Sequence, residues 1–416
     1  MSAADLHIVG AGPAGLSAAH SAIVAGARVC LIDNDHAAGG QVWRGGPAAW
    51  TDPRARDIWK TLQAHPNFTH LRGAQVIGSA GADSLLLEAG GQALRLDVAR
   101  LLVCSGAREL FLPFPGWTLP GVTGAGGLQA LIKGGMPVAD KRIVVAGSGP
   151  LLLATAATAI EAGAKVVAIV EHQGLARLSR FGLGLLFRHQ DKIRQALALF
   201  ARLRKIPYFT GGRIVEARGL DAVRSLVVTT GRARQEFACD LVAAGFGLVP
   251  DIDLACAMGC ETAGGAIAVD ALQKTSRPGI WAAGECTGIG GVDKAIAEGR
   301  IAALDALETS PSAQDRAALG RSHDFAALLA RSFVPGDSLK AMCRPETIVC
   351  RCEDVAAASL APHRGWREAK LATRVGMGPC QGKTCGPACQ FLFGWAPPAP
   401  RMPIVPAGAR ALSQIE

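Results

Sequence analysis

Tyrosine occurs once in this chain of 416 residues, aromatic residues make up only 5%, and the basic residues are scattered instead of running together. Without an aromatic–basic patch on which bases could stack, nucleic-acid binding is excluded. Twelve cysteines are present, yet no Cys-x-x-Cys occurs, which argues against a dithiol reductase mechanism. No Ser/His/Asp order, metal-hydrolase helix or adjacent acid–base pair can be placed, so no self-contained substrate-oxidising site is expected. The N-terminus carries Asp5 where a secretory signal would carry basic residues. The uncharged stretch Ile143 to Ile160 reaches 18 residues, but Gly147-Ser148-Gly149-Pro150 inside it suits a strand–turn–helix better than a membrane span. We expect a cytoplasmic protein with no transmembrane segment. In that reducing compartment its cysteines are read as metal ligands or buried thiols before disulfides.

Glycine, by contrast, is abundant: 51 residues in a chain that is half hydrophobic. Both suit an α/β enzyme with many tight strand-to-helix turns, and the length allows two or three domains. The formal charge of +9 either steers an acidic partner or anionic substrate, or marks a solvated basic surface. His7-Ile8-Val9 runs into Gly10-Ala11-Gly12-Pro13-Ala14-Gly15, and a helix-favouring run, Leu16 to Ala25, follows. In such a loop the first glycine allows the turn, the second lets backbone approach a pyrophosphate, and the third lets helix pack on strand. The helix N-terminus adds free N–H groups and a partial positive charge. The next strand, Arg28 to Asp33, ends in an acid 18 positions after Gly15, placed to bind a ribose hydroxyl pair. The chain opens with a dinucleotide site.

The unit recurs. Ile143 to Leu152, the helix Leu153 to Ala162 and the strand Lys165 to Val170, closed by Glu171, repeat it, with Gly147 standing 137 positions after Gly10. Leu152 takes the place of the third glycine, and a bulky residue there should push helix from strand or shift the turn. Between the repeats lie the polar turn Gly39 to Gly45 and a small antiparallel meander, Phe68 to Asp97. A buried strand, Arg100 to Cys104, then runs into Ser105-Gly106-Ala107, and proline and glycine thicken from Leu112 to Gly121 as in a domain crossover. Beyond the second repeat, Phe181 to Leu203 reads as a basic amphipathic helix or helix pair. Strands follow near Gly212 to Ala217, Ser225 to Thr230 and Asp240 to Ala244. Gly279 to Glu285 is again strand then turn, and Asp293 to Leu307 a helix. The domains expected are 1–113 with 265–308, 114–264, a linker 309–342, a cysteine domain 343–395, and a proline-rich tail 396–416, extended and unpacked.

Five of the twelve cysteines lie between Cys350 and Cys389. Cys350-Arg351-Cys352 and, 27 residues on, Cys380-Gln381-Gly382-Lys383-Thr384-Cys385 supply four thiolates in two close pairs. Sulfur ligation points to zinc or an iron–sulfur centre. A one-residue gap is uncomfortable around one small ion, and two irons taking two thiolates each fit the pairing better. Gly376, Gly378, Gly382 and Gly386 leave backbone N–H groups free to approach the sulfurs. Cys343 and Cys389 are read as structural thiols.

The paired dinucleotide units, with Ser105-Gly106-Ala107 closing one strand and Ala283-Gly284-Glu285 another, resemble the two-dinucleotide-domain flavoproteins over about residues 5–307. The resemblance implies FAD on the first loop, with Gly10, Gly12, Pro13, Ala14 and Gly15 at the pyrophosphate, Asp33 at the adenosine ribose and Glu285 at the ribityl–phosphate region. Asn34, Gly40, Gln41, Arg44, Val76, Ser105, Gly106, Ala107, Gly284 and Ala295 complete the implied FAD site. Asp33 stands where Glu is usual, and Glu285 where Asp is usual. Gly147, Gly149, Pro150, Leu151 and Glu171 are the candidates for a second nucleotide.

The turn Gly39 to Gly45 and the set Cys350 to Cys385 narrow the match. Together they look like the α (or A) subunits of heteromeric dehydrogenases for opines, D-hydroxyproline and proline, and of hydrogen cyanide synthase. The cysteine domain resembles the bacterioferritin-associated ferredoxin type of [2Fe–2S] module, with four residues instead of two between the last pair. The fold implied is a Rossmann-like α/β two-dinucleotide-binding-domain flavoprotein plus a small C-terminal helical [2Fe–2S] domain. Also implied are an amino-acid-oxidase-like β flavoprotein subunit that oxidises a secondary or primary amine, and a small third subunit. A quinone or other acceptor would take the electrons, with peripheral attachment to the inner membrane. A second nucleotide, or FMN at a subunit interface, is admitted too. Two competing readings remain: an independent NAD(P)H-dependent flavin reductase, supported by Glu171 and weakened by Leu152, and a scaffold with vestigial sites.

Overall fold

The computed structural model describes residues 4–79, 81, 83–231, 233–396 and 400–414. The chain divides into two compact units. One comprises Met1–Arg108, Val249–Ala327 and Ala399–Glu416, the other Glu109–Leu248 and Leu328–Pro398.

In the first unit, β1 (Leu6–Val9), α1 (Pro13–Val24) and β2 (Val29–Asp33) form the opening strand–helix–strand. The parallel sheet has the order Ile280–Ala282, Leu101–Val103, β1, β2, Phe68–Arg72. Covered on both faces, its central strands are mostly apolar, with His7 in β1 and Asp33 at the end of β2 as buried polar exceptions. Small residues dominate α1, which allows the helix Val292–Ala306 to approach at backbone distance. A Cβ on Gly299 of that helix would sit 2.2 Å from the Ala14 carbonyl oxygen. Ala74–Ser79, Ser84–Ala89 and Gln92–Asp97 form the antiparallel meander. It is shorter than expected, because Phe68–Arg72 pairs in parallel with β2, from Val29↔Phe68 to Asp33↔Arg72.

The second unit repeats this plan. Its parallel sheet runs Tyr208–Thr210, Lys165–Glu171, Arg142–Gly147, Leu241–Gly245, Val122–Gly124. Its antiparallel sheet is Gly212–Gly219, Val223–Thr230 and Ala233–Ala238. The segment 343–395 belongs to this unit but has a small core of its own, including Val349, Leu360, Trp366, Val375 and Trp395. Trp117 holds it, its Nε1–H donating to the Ile348 carbonyl at 2.6 Å.

Three boundaries differ from expectation. The chain leaves the first unit at Arg108 and returns at Val249, not at 265. The apolar side chains of Leu254, Ala255, Met258 and Cys260 draw the segment 249–264 into the core around Leu85, Leu101 and Ile280. The linker holds the helix expected there, Ala313–Ser332, but the boundary falls inside it, and its last turn belongs to the second unit. The tail is packed, not extended and free. Ile404 N–H donates to the Ile77 carbonyl, Gly408 N–H to the Glu88 carboxylate, and Ala411 is fully buried in a short helix. Pro397 and Pro398 of that tail lie outside the described residues.

Candidate functional site

At the first loop, glycine is required twice by the fold and once by nothing in the chain. Gly10 has φ 105°, and a Cβ there would lie 2.3 Å from the Cys104 carbonyl oxygen. A Cβ on Gly15 would lie 1.9 Å from the Gly10 carbonyl oxygen. Gly12, in contrast, has an ordinary φ of −75°, and no atom comes within 4 Å of where its Cβ would be. That open space adjoins the N-terminus of α1, where unpaired N–H groups face outward. Gly40, with φ 55°, closes up on Gly12, and Gly39 N–H donates to the Ala11 carbonyl at 2.8 Å. A pyrophosphate fits this cradle.

Asp33 braces the loop. Its carboxylate accepts from the N–H groups of Ala11 and Asp35, and burial pushes its pKa up. Asn34 beside it is exposed. Gln41 accepts from Arg44 at 3.2 Å. Pro13 and Ala14 open α1, and Gly284, with φ 95°, lies where a Cβ would meet the side chains of Ala14 at 3.0 Å and Ala295 at 3.8 Å. Ser105 donates to the Asp251 carbonyl at 2.6 Å, Gly106 has φ 75°, and Ala107 begins a short strand. Val76 packs into the meander core. Glu285 carries the clearest sign of a missing partner. Its Oε1 accepts from Gly290 and Gly291 N–H, while its buried Oε2 has no hydrogen-bond partner, and burial raises its pKa. Such an orphan is costly. A hydroxyl-bearing chain such as a ribityl would satisfy it, so the residues present fit FAD.

Behind this turn is a buried network that the sequence did not announce. Lys294 Nζ donates to the Gly284 carbonyl (2.9 Å), Thr287 Oγ1 (2.8 Å) and Glu298 Oε2 (2.8 Å). Glu298 also accepts from Gly284 N–H and Thr287, and its other oxygen meets His323 Nε2 at 2.9 Å. The Lys294 and Glu298 side chains are 5% and 1% exposed. Removing one partner strands a buried charge, so Lys294→Met should cost about 3–5 kcal/mol in denaturant unfolding. Burial pushes the Glu298 carboxyl up, but His323, Lys294 and Thr287 more than offset it, leaving its pKa below the ordinary 4.5. With the folded value depressed, this stabilisation is present above the unfolded pKa and is lost as pH falls through the folded one. Acid unfolding of the first unit should therefore steepen below about pH 4.3, and the step should be absent in Glu298→Gln.

The second loop is built differently. Gly147 has φ 144°, and a Cβ there would meet the Gly245 carbonyl oxygen at 1.7 Å. Gly149 has φ 105° where Gly12 has −75°, and its helix starts at Leu151, one residue later in the motif than α1. The turn has shifted, as Leu152 required: its side chain is buried in a core with Ala125 and Ala243. Pro150 caps that helix. Glu171, one methylene longer than Asp33, reaches Gly149 N–H as well as Gln173 N–H, both at 2.8 Å. Phe333, which sequence reasoning missed, stands 3.8 Å from the Cβ position of Gly149 and meets Phe181 edge-on. Gln173 Nε2 donates to the Val334 carbonyl and to Ser148, so residues 333–334 lie across this loop.

The cysteines gather in the 343–395 module. Cys352 and Cys380, one from each sequence pair, have their sulfurs 3.7 Å apart. Two thiolates on one tetrahedral ion with metal–sulfur bonds near 2.3 Å would be about 3.8 Å apart. Cys350 and Cys385 are buried neighbours, whose mutual influence helps to raise the Cys385 pKa after burial itself. Among the described residues no three His, Cys, Asp or Glu side chains converge on one point. As placed, the four thiols lie as two pairs, Cys352 with Cys380 and Cys350 with Cys385. Burial raises the Cys380 thiol, but the N–H groups of Thr384 and Gly382, the Cys352 thiol and the Lys383 N–H together outweigh it and pull its pKa below the ordinary value. The glycines have steric reasons too. A Cβ on Gly378 would lie 2.2 Å from the Cys352 Cβ, and one on Gly376 would lie 2.5 Å from the Trp366 ring. Burial pushes Cys389 up to about 12 and Cys343 up to about 11, the condition of inert thiols.

Comparison with known proteins agrees with this architecture. Residues 4–299 match the pyridine nucleotide-disulphide oxidoreductase family. Hydrogen cyanide synthase subunit HcnB of Pseudomonas protegens is 31% identical, covering 96% of this chain and 95% of that one. The A subunit of opine oxidase from Rhizobium meliloti is 30% identical, over 92% of this chain and 80% of its own length. The crystal structure of L-proline dehydrogenase from P. horikoshii shares the fold, with a TM-score of 0.69 and 17% identity over 98% of this chain and 79% of that chain. The chain therefore belongs to the pyridine nucleotide-disulphide oxidoreductase family, within the group of flavoprotein oxidoreductase subunits that includes HcnB and its opine oxidase counterpart.

Proposed function

We propose that this chain is the electron-transferring FAD and [2Fe–2S] subunit of a heteromeric dehydrogenase. A cytoplasmic partner β subunit, amino-acid-oxidase-like, would oxidise an opine, proline, D-hydroxyproline or a related amine. The observation that carries the reading is the open space at Gly12, paired with the orphaned Glu285 oxygen, in a chain that also gathers four cysteines. When bound, a flavin accepts electrons in pairs and releases them singly, and an iron–sulfur centre passes one at a time. The chain's own part is to hold and tune. Gly12 and the α1 N-terminus would grip the pyrophosphate, Glu285 the ribityl region, and the Lys294–Glu298 network fixes the turn that carries Glu285. Cys350, Cys352, Cys380 and Cys385 would hold the metal centre, with loop N–H groups stabilising charge on the Cys380 sulfur. The subunit names of the relatives support a partner chain, and a quinone or other small carrier would take the electrons.

The competing reading, an NAD(P)H-dependent reductase, needs the second loop open to a nicotinamide dinucleotide. Phe333 against Gly149 and Leu152 at the third glycine position argue against it. In a dye-reduction assay the purified chain should turn over NADH negligibly, and should gain amine-dependent dye reduction when co-purified with its partner. Rapid NADH oxidation by the chain alone would reverse the assignment.

A further inference from the structure

The helices Leu175–Arg188 and Gln190–Leu203 of the second unit play no part in either candidate site. The inner face of the first is covered. Phe181 meets Phe333, Leu185 is buried, and Gly184 admits Leu328, which would lie 2.8 Å from a Cβ there. Its outer face is apolar as well. Leu183, Leu186 and Phe187, at helical spacing of three and four, are 54%, 51% and 79% exposed. Arg180 and Arg188 on the same helix are exposed beside this strip, while Arg177 is turned back to donate to Gln173 Oε1 at 3.0 Å. The next helix adds exposed Leu197, 63% accessible.

Charge is concentrated here. The segment 175–205 holds eight Lys and Arg against one acid, Asp191, a net charge of +7 where the whole chain carries +9. Basic residues are spread along the whole chain, but in this segment few acids offset them.

We propose that this face docks on an anionic lipid surface, with Leu183, Leu186 and Phe187 entering the headgroup–acyl boundary and the flanking arginines meeting lipid phosphates. An apolar strip bordered by basic residues on a surface helix has the make-up of an interfacial helix. Among the described residues no helix is long and apolar enough to cross a membrane, so attachment would be peripheral. Charge decides the occupant: a +7 segment is attracted by an anionic bilayer, at about 1 kcal/mol per basic residue near the surface. The inference stands apart from the electron-transfer reading, because lipid binding is measured without turnover.

The test is co-sedimentation of the protein, as purified with its partner subunit, with phosphatidylglycerol-containing vesicles and with phosphatidylcholine vesicles. Binding should be strong on the anionic vesicles, fall with salt, and be negligible on the zwitterionic ones. The triple variant Leu183→Ser/Leu186→Ser/Phe187→Ser should lose binding at least ten-fold. Arg180→Gln should lose about five-fold and flatten the salt dependence. All these positions are exposed, so an unchanged thermal midpoint confirms that the variants fold. Equal binding of parent and triple variant, or no binding of the parent to anionic vesicles, overturns the proposal. So does loss of the partner subunit from the triple variant, which would make the face a protein interface.

Discussion

Gly12→Val should yield a folded, stable protein that has lost its flavin. The position has φ −75°, which valine adopts, and no protein atom lies within 4 Å of the new Cβ. Steric conflict arises only with a group that enters the loop from outside. An intruding side chain at a close contact costs about 1–3 kcal/mol or more, so flavin affinity should fall roughly 10- to 100-fold while the thermal midpoint of the flavin-free protein stays put. Gly15→Ala is the contrasting change. Its Cβ would lie 1.9 Å from the Gly10 carbonyl oxygen, so stability and flavin should fail together. Flavin absorbance and a melting curve on the two variants separate a ligand glycine from a packing glycine. Full flavin content in Gly12→Val would refute the binding role given to the loop.

Cys380→Ser should remove the metal centre and leave the flavin. Cys380 pairs with Cys352 at 3.7 Å and is the thiol whose charged form the loop N–H groups favour. Losing a thiolate ligand from so small a site should abolish bound iron and acid-labile sulfide, together with the visible absorption that accompanies them. Flavin content should be unchanged, since the glycine loop belongs to the other unit. Cys343→Ser, outside the four, should retain iron and sulfide. Zinc in the parent protein would disprove the iron–sulfur centre, and an iron content untouched by Cys380→Ser would disprove the ligand assignment.

Local patterns announced much of this molecule. Gly10 to Gly15, Asp33 and the imperfect repeat at Gly147 are short-range signals, because turn geometry and strand periodicity are set by neighbouring residues. Leu152 even forecast the altered turn, which appears as the reversed φ of Gly149. What escaped was decided at long range. Gly299 in mid-helix hinted at a close crossing, but nothing in the sequence named Ala14 as its neighbour. Lys294, Glu298 and His323 look like surface residues of two helices until the fold buries the first two. Phe333 followed a helical linker with no motif to flag it, yet it covers the second loop. The tail was read as unpacked from its prolines, whereas Ile404 and Ala411 anchor it to the meander. Phe68–Arg72 alternates as a meander strand would, and only its parallel register with β2 shows otherwise.

The relay role is tested most directly by mixing the intact heteromeric complex, without oxygen, with amine substrate and recording flavin absorbance and low-temperature EPR on the same sample. The account predicts that flavin bleaching is followed by an EPR signal from a reduced iron–sulfur centre. It further predicts that the isolated chain shows neither change with amine or with NADH. A reduced-cluster signal produced in the isolated chain by NADH alone, or no cluster signal in the substrate-reduced complex, would contradict it.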